Sequence, residues 1–64
     1  MCLASVYGKQ NDVETLIMKN VTRIQVEGDK VYLYDIIGKE TVVEGTLLMA
    51  DLTRSVVHIQ CPAA

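Results

Sequence analysis

The sequence predicts an all-β fold, a small closed or nearly closed barrel forming one domain over residues 1–64, with 62–64 as a loose tail. Three observations predict it. Turn-forming residues recur at short spacing, at Gly8 to Asp12, Lys19-Asn20, Glu27 to Lys30, Gly38 to Glu40, Glu44-Gly45 and Asp51 to Arg54. The runs between them are short and rich in Val, Ile, Leu, Thr and Tyr, residues that suit a pleated, half-buried surface. No helical stripe of useful length fits between the turns.

Taken in order, the runs alternate as strands do. Ile24 and Val26 share one face, with Arg23, Gln25 and Glu27 on the other. In the next run Val31 and Leu33 oppose Tyr32, Tyr34 and Ile36. Glu27-Gly28-Asp29-Lys30 between them reads as a hairpin, Gly28 or Asp29 supplying the positive φ of a tight turn. Near the end, Val57 and Ile59 alternate with Val56, His58 and Gln60. Leu47 to Leu52 is the stretch that could bend into helix. Closure into a barrel follows from the many short strands, because it removes sheet edges.

The composition asks for more than one chain. A domain of 64 residues buries only about 60% of the surface its unfolded chain exposes. Half of its residues are hydrophobic, and mean hydropathy is +0.24. Two cysteines are too few for a disulfide scaffold, which leaves a partner subunit or a metal as the added source of stability. A homo-oligomer is expected. No apolar run approaches the ~18 residues of a membrane span. Met1 to Tyr7 lacks the basic start of a secretory leader, so a cytoplasmic location is expected. Six Lys and Arg against eight Asp and Glu leave no basic excess for neutralising phosphate, which disfavours nucleic acid.

Cys2 is the most informative residue. With Met1 retained, the Met1 amine, the Cys2 amide nitrogen and the Cys2 sulfur would form two fused five-membered chelate rings. With Met1 removed, the Cys2 amine and sulfur would form one. Either set offers nitrogen and sulfur donors in a plane, which suits Ni(II) or Cu(II) better than tetrahedral Zn(II). The plainer alternative is a buried structural cysteine at the start of the first strand, since free cysteine is among the most buried residue types.

Met1-Cys2-x-Ala4-x-Val6-Tyr7 resembles the opening of the CooT family, small nickel-binding proteins linked to carbon monoxide dehydrogenase maturation. The resemblance continues through Met18 to Val21, Val26-Glu27-Gly28-Asp29, Tyr34-Asp35-Ile36-Ile37-Gly38, Val43-Glu44-Gly45, Asp51-Leu52 and Val57 to Ile59. Each motif is weak alone; their order and spacing across residues 1 to 60 make the set specific. The resemblance implies an SH3-like β-barrel and a homodimer. It also implies one Ni(II) held between the chains by the cysteine after the initiator methionine, here Cys2, with a Met1 nitrogen as a further donor. It implies carbon monoxide dehydrogenase as the recipient of the nickel.

The remaining reactive residues have ordinary explanations. Cys61 reads as an inert or surface thiol, with a second metal ligand and a disulfide to Cys2 as alternatives. His58 reads as a solvated strand residue, although imidazole suits nickel. Tyr32 and Tyr34 could stack bases as in a small RNA-binding barrel, but packing or a dimer surface explains them as well. Glu14, Glu40, Glu44 and Asp51 read as solvated surface, and Met18 and Met49 as core filling. No enzyme is indicated. A nickel-binding accessory protein is the leading function, ahead of an RNA-binding module and of a plain docking module on a larger enzyme.

Overall fold

The computed structural model describes residues 3–62, and these contain six strands and no helix. The strands are β1 (Ala4–Gln10), β2 (Val13–Glu27), β3 (Lys30–Asp35), β4 (Glu40–Glu44), β5 (Thr46–Asp51) and β6 (Val56–Gln60). They form one sheet in the order β4-β3-β2-β1-β6-β5. All neighbours are antiparallel except β1 and β6, which run parallel. The all-β expectation holds, and Leu47 to Leu52 is a correction to it. Thr46–Asp51 is a strand, not a helix, because the run pairs along β6 from Thr46–Gln60 to Asp51–Val56.

The sheet curls because its longest strand cannot stay straight. At about 3.3 Å per residue, 15 residues would extend about 50 Å, yet the molecule is 33 Å in its longest dimension. The bend lies where the sequence suggests a turn. Lys19 and Asn20 do not end a strand; they form a bulge in β2, with Asn20 left-handed at φ 58°. Ala4 pairs with Val21 and Val6 with Met18, so β2 carries one residue more than β1 across this interval. Beyond the bulge, β2 leaves β1 and pairs with β3.

Curling brings the two edge strands together. β4 and β5 lie at opposite edges of the sheet, yet Gly45 alone separates them in the chain. Its amide donates to Asp29 O at 2.8 Å, which ties this corner to the β2–β3 hairpin. Gly45 has φ 154°, and a Cβ there would drive into Gln60 O and sit 2.9 Å from Ile59 Cγ2. Only glycine turns this corner. The β2–β3 hairpin has the expected two-residue loop, with Gly28 supplying the positive φ.

Inside the curl lie Val6, Val21, Val31, Leu33, Val57 and Ile59, all buried. The alternation read from Val31, Leu33, Val57 and Ile59 puts each on its predicted face. Ala4, Ile17, Met18, Ile24, Val43 and Cys61 pack around them.

Candidate functional site

The two ends of the sheet differ in chemistry, and the parallel pairing of β1 with β6 decides which residues share an end. The register runs from Ser5–Val56 to Lys9–Gln60. Ala4 therefore lies beside the start of β6, and Cys61 beside the end of β1, its amide donating to Lys9 O at 2.8 Å. Ala4 and Lys9 are about 16 Å apart along the strand, farther than two residues of chain can retrace. An intrachain disulfide between residues 2 and 61 does not fit this register. Met1 and Cys2 themselves lie outside the described residues.

At the end marked by Ala4, one row crosses five strands: Asp35 pairs with Val21, Val21 with Ala4, Ser5 with Val56, and Val56 with Asp51. An open cavity of about 360 Å³ lies here, lined by Ala4, Val21, Ile24, Ala50, Leu52 and Val57 among others. Arg23 and Asp51 also line it. Both aspartates of the row organise the turn that follows them. Asp35 Oδ1 accepts the amides of Ile37 at 3.0 Å and Lys39 at 2.9 Å. Asp51 Oδ1 accepts those of Thr53 and Arg54, each at 3.1 Å. Such side-chain-to-backbone bonds fix turns that would otherwise be loose.

The opposite end is polar and tightly tied. A cavity of about 230 Å³ is lined by Asp29, Glu44, Gly45, Thr46, Gln60, Cys61 and Pro62. Gln60 Nε2 donates to Lys9 O and Cys61 O, and Gln10 Nε2 to Pro62 O at 2.6 Å. Pro62 is thus tied to β1, while residues 63 and 64 of the expected tail lie outside the described residues. Cys61 is half-buried here as a free thiol. Its Sγ sits 3.0 Å from where a Cβ on Gly8 would stand, so the thiol packs closely against the β1 backbone.

His58 is better partnered than the expected solvated residue. Its Nδ1 lies 2.9 Å from Glu14 Oε2, and its ring stacks on Tyr7 at 5.8 Å between centroids. The His58 side chain is 23% exposed, against 47% for Glu14. The pairings Tyr7–His58 and Met49–His58 set these residues side by side on the outer face. Sequence reasoning missed this cluster, because the pairing that makes it spans 51 positions, from Tyr7 to His58. Met18 packs on the core as expected, but Met49 does not. It is half-exposed because its pairing with His58 puts it on the outer face of the sheet.

Tyr34 shares its outer face with Arg23, whose guanidinium lies 4.9 Å above the ring. Arg23 also donates to Gln25, and Gln25 to Glu27, each at 2.9 Å. Hydrogen bonding to Glu40 raises the Tyr34 hydroxyl pKa above its ordinary value, with desolvation and the Glu40 charge acting in the same direction. This cation and both neighbouring amide and carboxylate groups are committed to one another, which leaves little of the face for stacked bases.

Among the described residues, no three His, Cys, Asp or Glu side chains converge to hold a metal. No helix among them is long and apolar enough to cross a membrane. The fold and its ends define a small, curled all-β domain whose first strand begins at an apolar mouth. The chain belongs to the CooT family, described as CO dehydrogenase accessory protein, the match covering residues 1–60. Among solved structures it resembles the crystal structure of a CooT candidate from Carboxydothermus hydrogenoformans, with TM-score 0.83 and 20% identity. That likeness covers 94% of this chain and 97% of the other, and it shows a shared fold. Among curated proteins there is no significant match.

Proposed function

We propose that the protein is a nickel(II)-binding accessory protein. In this reading it is a cytoplasmic homodimer, with one Ni(II) held between two Cys2 thiolates and a Met1 nitrogen as a further donor. The nickel is cargo, stored for or delivered to carbon monoxide dehydrogenase. The protein carries out no catalysis of its own. Membership of the CooT family across residues 1–60, a span that includes Cys2, carries the proposal.

The chemistry of the donors agrees with it. A chain-terminal amine and a neighbouring thiol offer nitrogen and sulfur in a plane, the set preferred by Ni(II). Two chains related by a twofold axis would each need to supply only one such residue. With ordinary pKa values of about 8 for the amine and about 8.5 for the thiol, uptake must displace protons, so affinity falls as pH falls. Thiolate exchange also leaves the ion available to a recipient.

Anaerobic titration with Ni(II), followed by absorbance and by mass, tests the reading. Saturation is expected at one ion per two chains, with thiolate-to-metal absorption that Cys2→Ser removes. Undiminished nickel uptake by Cys2→Ser, or uptake that instead requires Cys61 or His58, overturns it.

A further inference from the structure

We infer that the outer face of the sheet carries a site for a soft monovalent cation, Cu(I), held between His58 Nε2 and the Met49 thioether, with Glu14 orienting the imidazole. The site goes beyond the nickel reading and uses none of its residues.

His58 and Met49 are direct partners across β6 and β5, so their side chains stand on one face of the sheet. In such a pair the Cβ atoms are about 5 Å apart. Met49 is 50% exposed and the His58 side chain 23%, so an ion reaches both from solvent. Methionine is unbranched and flexible, which lets its sulfur meet the edge of the imidazole.

Glu14 decides which ring nitrogen is left to bind. An ionised carboxylate only accepts hydrogen bonds, so the 2.9 Å contact to Glu14 Oε2 places a hydrogen on His58 Nδ1. In the neutral imidazole Nε2 then keeps its lone pair, and the bond to Glu14 leaves that nitrogen unused. The two nitrogens point to opposite sides of the ring. Glu14 belongs to β2, and β1 lies between β2 and β6. With Nδ1 turned toward β2, Nε2 turns toward β5, where Met49 stands. Tyr7 stacks on the ring from β1, with 22° between the planes, and supports this orientation. A carboxylate on the far nitrogen is the common arrangement behind a ligating histidine, because it fixes the tautomer and raises the basicity of the other nitrogen.

The donor count selects the ion. One imidazole nitrogen and one thioether sulfur are too few for tetrahedral Zn(II) or for a square plane around Ni(II) or Cu(II). Cu(I) accepts two donors, and thioether sulfur is a ligand type that selects it. Cys61 packs against the core on the inner face, so it is no third donor.

Anaerobic Cu(I) titration against a colorimetric chelator tests the site. The full chain carries Cys2→Ser and Cys61→Ala for this purpose, which removes competing thiolates. One Cu(I) per chain is expected, with the Met49 methyl carbon and His58 Nε2 both shifted in NMR spectra. Further substitution His58→Gln should abolish uptake, and Met49→Leu should weaken it. Glu14→Gln should lower the affinity on the order of 10-fold. Far-ultraviolet circular dichroism checks that each variant keeps the fold of its parent. No uptake by the thiol-free chain, uptake unchanged by His58→Gln, or shifts at Met1 or Met18 in place of Met49 overturns the site. Its failure is separable from that of the nickel reading. Cu(I) uptake is read without Cys2, and nickel uptake by the wild type is read against Cys2→Ser with His58 in place.

Discussion

The Ala4 end and the Cys61 end of the sheet solve the same geometric problem in opposite ways. Both must finish a curled sheet. At the Cys61 end the chain closes on itself: Gly45 joins the two edge strands, and its amide bonds to the β2–β3 hairpin. Gln10 and Gln60 side chains tie down the last described residues. At the Ala4 end two aspartate-held turns point aliphatic residues outward and leave an apolar cavity open. One end uses its polar groups internally; the other leaves apolar surface exposed. Cys61 is packed into the finished end.

The largest effect should come from breaking the finished end. Gly45→Ala places a methyl group against Gln60 O and Ile59 Cγ2 in a backbone conformation that favours glycine. The obstacle is largely backbone, which cannot swing aside as a side chain can. A loss of about 3 kcal/mol or more is expected in urea denaturation, enough to unfold much of so small a domain. A loss under about 1 kcal/mol would mean that the corner between β4 and β5 is not constrained as described.

Gly8→Ala comes next, because its obstacles are softer. The added methyl would meet Ile17 Cδ1 at 2.6 Å and Cys61 Sγ at 3.0 Å, both ends of side chains. A cost of about 1–3 kcal/mol is expected for this overpacking. Ile17→Val removes the nearer atom, so the double variant should recover part of the loss in the same assay. Purely additive losses would show that the methyl and Ile17 do not collide.

How much of this was legible in the sequence follows from the range of the interactions involved. The Glu27 to Lys30 hairpin and the burial of Val31, Leu33, Val57 and Ile59 are local patterns, and each was readable. Lys19-Asn20 carried a true signal for positive φ but not its outcome, because a bulge and a turn use the same residues. Leu47 to Leu52 failed as a possible helix because pairing with β6 outweighs local composition. Met49 failed as a core residue because its register against β6, with an irregularity after Leu47, sets it beside His58 on the outer face. The family could be read from short motifs in order along residues 1–60, whereas the apolar mouth could not. It is assembled from four strands and a turn that meet only in the folded chain.

The open end should respond to glycine in the opposite sense. Ser55, on the turn between β5 and β6, has φ 57°, a conformation that costs a non-glycine residue on the order of 1 kcal/mol. Its carbonyl accepts from Ser5 N at 2.9 Å, a backbone bond that substitution retains. Ser55→Gly should therefore stabilise the fold by about 0.5 kcal/mol, the relief of strain exceeding the added freedom of the unfolded chain. A rise in the urea midpoint at unchanged slope would show it. A fall would mean that the serine side chain contributes something to this turn beyond its backbone.

The smallest effect lies on the outer face next to this end, at Tyr34 and Glu40, which pair across β3 and β4. Hydrogen bonding to Glu40, helped by desolvation and by the Glu40 charge, raises the Tyr34 pKa above 10.0. The folded chain thus holds the phenolic proton more tightly than the unfolded chain does. Its contribution to stability is fully present below the ordinary tyrosine pKa and is lost as pH rises through the folded value. Arg23 above the ring acts the other way, favouring the phenolate. Following the Tyr34 ring by NMR during alkaline titration should show ionisation above the ordinary value, with Glu40→Ala lowering the midpoint and Arg23→Gln raising it. A midpoint unchanged in Glu40→Ala would remove both the hydrogen bond and the Glu40 charge as causes and leave desolvation as the source of the shift.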